Sequence, residues 1–187
     1  MKALVFAGSV RTDSLHRKLA RAAAEELRGR GIEVTFADLS DYPMPLYDGD
    51  LEASAGLPPA AVAFRKLLAE HDLLVIASPE YNGSFSALLK NTIDWTSRPA
   101  GPGERPTALY RGKKAALLAA SPGKGGGRRG LKHLRELLEM IGVTTIGEVT
   151  VASAAEAFDV EGTLTRSDAV AAVARLADTV TGSLAAA

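Results

Sequence analysis

A parallel sheet held between two layers of helices is the fold this sequence predicts, and three observations predict it. Five short apolar runs (Ala3 to Ala7, Val34 to Ala37, Leu73 to Ala77, Ala115 to Ala120 and Ile146 to Val151) have the length of strands and fall short of a typical helix. Between them lie segments whose apolar residues recur every three or four positions. The stretch DLLVIA at 72–77 shows no polar alternation, as expected of a strand buried on both faces.

Taken in order, the first run leads into a helical pattern at Leu15, Leu19, Ala23 and Leu27, and the second into one at Val62, Leu67 and Leu68. The third is followed by Leu88, Leu89, Ile93 and Trp95, the fourth by Leu131, Leu134, Leu138 and Ile141. After the fifth, Arg166 to Leu184 repeats Val170, Val173, Leu176 and Val180, with Ser167 or Asp168 available as a cap, and closes the sheet as a last helix. Alternation of this kind implies right-handed crossovers. The expectation is a flavodoxin-like three-layer sandwich, a five-stranded parallel sheet of order 2-1-3-4-5, in one domain over residues 1–187. Two stretches rich in Pro, Gly and charge, Ser40 to Pro59 and Arg98 to Arg111, read as loops over the sheet ends or as subunit contacts.

Composition excludes several function classes. Lys plus Arg (22) balance Asp plus Glu (22), so no global field favours nucleic acid or an anionic membrane. With no cysteine there is no disulfide, thiol nucleophile or Cys-ligated metal, and redox chemistry would need a borrowed cofactor. His16, His71 and His133 are scattered without metal-ligand spacing, so no metal site is expected. The start MKALVFAGSV carries no cleavage-site pattern and no segment approaches the ~18 apolar residues of a membrane span, so a soluble cytoplasmic protein is expected. Neither a G-x-x-x-x-G-K-[ST] loop nor a G-x-S-x-G elbow occurs.

The unusual sequences are three loops, each leaving the carboxyl end of a strand and so sharing one edge of the sheet. GSVRTDS (8–14) opens a helix and offers unpaired N–H groups, the hydroxyls of Ser9, Thr12 and Ser14, and the cation of Arg11, a set suited to a phosphate monoester. It reads equally as a helix cap with a solvated arginine. SPEYNGS (78–84) could present backbone N–H groups and the Asn82 amide to the edge of a flat heterocycle with Tyr81 against the ring, or be an Asn-Gly turn with Glu80 in water. SPGKGGGRRG (121–130) contains a literal G-x-G-x-x-G at Gly125, Gly127 and Gly130, but no acidic residue closes the next strand, and a flexible backbone wall with a basic face at Lys124, Arg128, Arg129 and Lys132 is the preferred reading.

Together these residues resemble the NADPH-dependent FMN reductase family, which includes quinone, azo-dye and chromate reductases. GSVRTDSLHRKLA is similar to its phosphate loop, SPEYNGS with LKNTIDW to its isoalloxazine loop and following helix, and SPGKGGG to its third wall, over roughly Lys2 to Thr150. The resemblance implies FMN phosphate on Ser9, Arg11, Ser14, Leu15 and His16. It places the flavin on Pro79, Glu80, Tyr81, Asn82 and Gly83, with Ser121 and Gly123 beside the ring. It further implies NADPH or NADH as co-substrate, a small-molecule electron acceptor such as a quinone, azo compound, chromate or free flavin, ping-pong hydride transfer through flavin N5 without a catalytic side chain, and a homodimer or homotetramer. Two positions depart from the family pattern: His16 stands where Asn is common, with a side chain expected to donate to phosphate more strongly at low pH, and Phe85 to Ala87 lacks the Pro-Gly often found before LKN. Rival readings are a one-electron carrier, disfavoured by the neutral charge, and a flavin-binding redox sensor.

Overall fold

Strands that are apolar on both faces must be covered on both, which sends them to the middle of a sheet. In the computed structural model, which describes residues 2–185, β1 (Lys2–Ala7), β3 (Leu73–Ala77) and β6 (Lys114–Ala120) are central, while β2 (Glu33–Ala37) and β7 (Thr144–Val151) form the edges. All pairs are parallel and the order is β2-β1-β3-β6-β7. This is the flavodoxin-like order expected from sequence. Two further strands, β4 (Glu80–Tyr81) and β5 (Ser84–Phe85), make a separate antiparallel hairpin that the run lengths gave no hint of.

Alternate side chains of the central strands feed two cores. On one face Ala3, Val5, Ala7, Leu73, Val75, Ala77, Ala116, Leu118 and Ala120 receive α1 (Leu15–Gly29) and α6 (Ser167–Ala185). Many of these residues are alanines, as are Ala20, Ala23 and Ala24 of α1, so that helix lies close to the sheet. The other face carries Leu4, Phe6, Leu74, Ile76, Ala115, Leu117 and Ala119 beneath α3 (Pro59–Glu70), α4 (Ala87–Thr96) and α5 (Arg128–Met140). There Phe6 packs edge-on against Phe64, with ring centroids 5.3 Å apart. Among the described residues, no helix is long and apolar enough to cross a membrane. Met1, Ala186 and Ala187 of the expected span lie outside the described residues.

The stretch expected as loop from Ser40 to Pro59 contains a short helix, α2 (Gly49–Ala55), capped by Asp48. None of its residues is buried, so it left no apolar stripe in the sequence. The segment before it is strapped down by α4: the Asn91 side chain accepts from Tyr47 N–H at 2.7 Å and donates to Pro45 O at 2.8 Å, and the Trp95 indole N–H donates to the same carbonyl at 2.8 Å. Tyr47 stacks edge-on against Trp95, and its hydroxyl donates to Glu52, which also receives Arg98. The apolar groups of the strap are thus largely covered by their own chain, and the exception is Leu46, 81% exposed. A homodimer or homotetramer is therefore suggested by the family resemblance rather than by this segment.

Gly126, Gly127 and Gly130 of the third loop serve close approach, whereas Gly125 has open space around it. Gly127 precedes α5 with φ +85°, and a Cβ there would sit 2.6 Å from that of Ala119. Gly130 is packed against Glu80 and the Ser84 carbonyl, each about 3.2 Å from a would-be Cβ. The expected flexible wall is instead a tightly seated helix start. Gly127→Ala should destabilise the protein by about 2–4 kcal/mol through overpacking and a left-handed alanine. Gly29→Ala, with nothing within 4 Å of its would-be Cβ, should stabilise it slightly, by about 0.5 kcal/mol. Urea unfolding midpoints of the two variants should move in opposite directions.

Candidate functional site

The three loops begin side by side. Gly8 N–H donates to Ala77 O (2.8 Å), Ser78 N–H to Leu118 O (2.8 Å) and Ser121 N–H to Val151 O (2.9 Å), which extends the sheet ladder by one bond into each loop. The first two flank the point where the strand order reverses, the place where open α/β sheets bind ligands.

In the first loop Ser14 is the N-cap of α1, accepting from Arg17 N–H at 3.4 Å, and Ser9 accepts from Arg11 N–H at the same distance. Both serines are buried. The N–H groups of Thr12, Asp13, Leu15 and His16 find no acceptor among the described residues, so a run of donors faces outward from the positive end of α1. Asp13, which would repel an anion, is ion-paired with Lys18. Arg11 is exposed, and its guanidinium has no ion-pair partner among the described residues.

His16 does something the sequence did not suggest. It is buried, and its Nε2 accepts the N–H of Ala120 at 3.2 Å, tying the start of α1 to the end of β6. Burial pushes its pKa down to about 4, and the nearby charge of Arg11 acts in the same direction. The expected strengthening of a phosphate contact at mildly acid pH is therefore corrected: the ring is neutral there, and what His16 offers to an anion in the first instance is its backbone N–H.

The second loop is a two-residue hairpin. Tyr81 pairs with Ser84, and Asn82 and Gly83 both have positive φ (52° and 79°), the turn that Asn-Gly favours. Pro79 is buried, whereas Tyr81 is 51% exposed and Asn82 is exposed as well. Glu80 is not in water. Its carboxylate accepts Gly130 N–H at 3.0 Å, capping the first turn of α5, a helix whose own cap position is glycine and whose first turn carries Arg128 and Arg129. The Glu80 side chain thus belongs to the scaffold, which leaves the hairpin backbone, Tyr81 and Asn82 for a ligand. In the third loop Ser121 accepts Gly123 N–H at 3.1 Å, and Gly123 and Lys124 are exposed.

Two residues escaped the sequence reading. Ser86 caps α4, accepting Leu89 N–H at 3.2 Å, and donates to Gly8 O at 2.7 Å, which locks the second loop to the first. A Cβ on Gly8 would lie 2.8 Å from Ser86 Oγ and 3.1 Å from Leu89 Cβ, so glycine is required for that approach. A serine directly before an apolar helix was the signal available. Two grooves border the loops: one of about 590 Å³ runs along α1 and reaches Thr12 and Ser14 of the first loop, and another of about 590 Å³ is lined by Tyr81, Asn82 and Ser84 of the hairpin together with Phe85, Lys90, His133 and Leu137. The loops themselves form a cradle of backbone donors along the carboxyl edge of the sheet. Among the described residues no acidic or histidine cluster could hold a metal ion.

The NADPH-dependent FMN reductase family profile matches residues 1–157. An NAD(P)H-dependent FMN reductase of Pseudomonas aeruginosa is 40% identical over 169 residues, covering 88% of this chain and 84% of that protein. An NADPH:quinone oxidoreductase of Arabidopsis thaliana is 38% identical over 139 residues, covering 73% of this chain and 66% of the plant protein, so the chain spans just under two thirds of that relative. Among solved structures, the flavoenzyme NAD(P)H:(acceptor) oxidoreductase FerB from Paracoccus denitrificans superposes with a TM-score of 0.78 at 28% identity, over 97% of each chain.

The His16 contact has a consequence for stability. A histidine with an unfolded pKa near 6.5 and a folded pKa of about 4 leaves its full contribution intact above pH ~6.5 and loses it progressively down to pH ~4, where the unfolded chain binds a proton that the folded one refuses. That difference amounts to about 2–4 kcal/mol. His16→Asn cannot titrate, so its urea-unfolding stability should fall less than that of the wild type between pH 7 and pH 4.5; parallel losses would show that His16 is not the group responsible.

Proposed function

The chain belongs to the NADPH-dependent FMN reductase family, and from that membership we propose that it is an FMN-dependent NAD(P)H oxidoreductase that passes two electrons to a small acceptor. The observation that carries the reading on this chain is the run of unpartnered N–H groups from Thr12 to His16 beside Arg11, at the switch point of the sheet. When bound, FMN would supply the chemistry, accepting a hydride from reduced nicotinamide and releasing two electrons to the acceptor.

The residues of the chain bind and orient. The N–H groups at the start of α1 take the phosphate oxygens, with Arg11 adding charge from the solvent side. The Asn82 amide and the backbone of the hairpin meet the edge of the ring, and Ser121 and Gly123 border it across the cradle. Fixed N–H dipoles near the pyrimidine edge favour the additional negative charge of the reduced ring. The carboxylates and the histidine at the first two loops are engaged: Asp13 is paired with Lys18, Glu80 is bonded to α5, and His16 is turned to Ala120. An exposed, shallow site admits one partner at a time on the open face, so nicotinamide leaves before the acceptor enters, which is a ping-pong order. Quinones are the acceptors best supported, by the name of the plant relative, and azo compounds, chromate or free flavin would use the same face.

The reading is tested by anaerobic addition of NADPH or NADH to the FMN-loaded protein. Loss of flavin absorbance, restored by a quinone, is the expected result, and a flavin that stays oxidised would exclude a reductase. Within the site, Arg11→Ala should weaken FMN by roughly 10 to 150 fold, the equivalent of about 1.5–3 kcal/mol for a hydrogen bond to a charged group. Riboflavin, which has no phosphate, should be nearly unaffected when both are titrated by fluorescence quenching. Equal losses would mean that Arg11 shapes the loop instead of meeting the phosphate.

A further inference from the structure

Among the described residues, three other than glycine have positive φ: Asn82 (52°), Thr107 (63°) and Ser153 (47°). Asn82 belongs to the hairpin turn that Asn-Gly favours, and Thr107 lies between α4 and β6, at the amino edge of the sheet. Ser153 has no such account. It follows β7 at the carboxyl edge and is left-handed in both angles, with φ 47° and ψ 44°. That conformation is unfavourable for a residue with a Cβ and persists only where the surroundings enforce it. Here Arg166 enforces it. Its guanidinium donates to Ala152 O at 2.8 Å and to Ser153 O at 3.1 Å, which fixes the peptide planes on both sides of the Ser153 Cα. The arginine is itself held, its Nε by Asp168 and its backbone N–H by Ala157 O at 3.3 Å. Ala154 and Ala157 are fully buried in the core, so the segment cannot slide.

The strained residue serves the third loop. An extended backbone points successive N–H groups to opposite sides, whereas the left-handed turn at Ser153 brings two of them to the same side. Ser153 N–H donates to Gly123 O at 3.1 Å, and Ala154 N–H to Ser121 O at 2.9 Å. With Ser121 Oγ accepting Gly123 N–H at 3.1 Å, the root of the loop is fixed by three bonds. One of these has a directional consequence. In a planar trans peptide the C=O and the N–H point opposite ways, so a Gly123 carbonyl turned toward Ser153 sends the N–H of Lys124 away from it. Ser153 follows β7, and β6 stands between β7 and the pair β3 and β1 in the sheet. Away from Ser153 is therefore toward the cradle. Lys124 N–H has no acceptor among the described residues, and because Pro122 has no N–H and that of Gly123 is taken, it is the first free donor of the loop.

We propose that Ser153 and Arg166 are positioning residues for the flavin ring: they hold the Gly123–Lys124 peptide so that Lys124 N–H donates to a ring oxygen or nitrogen from the side opposite the hairpin. Arg166 acts through the Ala152 and Ser153 carbonyls, and Ser153 acts through its own N–H. The proposal rests on the FMN reading above, which supplies the ring. It places the effect on the ring alone, so the phosphate arm is indifferent to it, and the bond strengthens as the ring gains negative charge on reduction.

The test compares full-length wild type, Arg166→Ala, Ser153→Val and Ser153→Gly, each loaded with FMN or riboflavin, by the recovery of flavin fluorescence on dilution. Arg166→Ala and Ser153→Val, whose branched side chain resists a left-handed backbone, should weaken both flavins by the same factor, about 3–10 fold, as expected for one neutral hydrogen bond. Ser153→Gly keeps the conformation without the strain, so it should bind both flavins within about twofold of wild type while its urea midpoint rises. The Lys124 amide resonance, followed by NMR, should move when bound flavin is reduced with dithionite and should move less in Arg166→Ala, a response that loss of stability alone does not produce. If Arg166→Ala fails to fold, the two substitutions at Ser153 decide. Unchanged affinities, a loss confined to FMN, equal losses in Ser153→Val and Ser153→Gly, or a Lys124 resonance that ignores the redox state would each overturn the proposal. Wild type that retains neither flavin would remove the FMN reading itself, an outcome visible before any variant is made.

Discussion

The contact on which the cradle depends is between a glycine without a side chain and a serine with a short one. Gly8 ends the first strand, and Ser86 begins α4; because Gly8 has no Cβ, Ser86 reaches its carbonyl at 2.7 Å while still capping the helix. One hydroxyl thereby fixes the first loop against the helix that follows the hairpin. The third loop is then bound to each of the others by a single bond, His16 to Ala120 and Glu80 to Gly130. Three loops that would each be mobile alone are held in one arrangement before any ligand arrives. The ordering cost of binding is correspondingly reduced.

These ties also explain why the cradle is electropositive in a neutral molecule. Its two nearby carboxylates are both engaged, Asp13 by Lys18 and Glu80 by the first turn of α5, so neither projects free negative charge at a ligand. Arg11, Arg128 and Arg129 form no ion pair among the described residues. Neutralising the acids through scaffold contacts, and leaving the bases free, builds a local field for anions without giving the whole protein the net charge that would draw nucleic acid or membranes.

How much of this was legible in the sequence follows from the range of the forces concerned. The central strands could be read because full burial leaves an unbroken apolar run, and strand order followed from alternation with helices and the handedness of crossovers. The convergence of the three loops was a consequence of that topology. The hairpin was not legible, since strands of two residues are too short to show a period, and α2 was not, since it buries nothing. Nor could the sequence reveal the partners of Glu80, Asn91 and His16, which lie 50, 46 and 104 positions away. The glycines at 125, 127 and 130 show the opposite failure: a recognisable pattern was present, but Gly127 and Gly130 serve contact with Ala119 and with Glu80, not a pyrophosphate.

At several positions the plain structural reading and the functional one had seemed to compete, and the structure makes them compatible. Ser14 is a helix cap, Asn82 is the first residue of a tight turn, and Glu80 is a scaffold carboxylate, yet each sits in a loop whose backbone N–H groups point outward unpaired or whose tip is exposed. Side chains build the cradle and leave main-chain donors at its surface. Substitution is then constrained by what each side chain holds in place. At position 16 the requirement is an acceptor for Ala120 N–H, which the carbonyl oxygen of the Asn common in the family can supply as well as imidazole Nε2 does. Before LKN the requirement is a close approach to Gly8 and a capped helix start, which Ser86 meets without the usual Pro-Gly. At position 16 the side chain changes while an acceptor for Ala120 N–H remains, and at position 86 a serine hydroxyl supplies a bond to Gly8 O that a proline has no group to make.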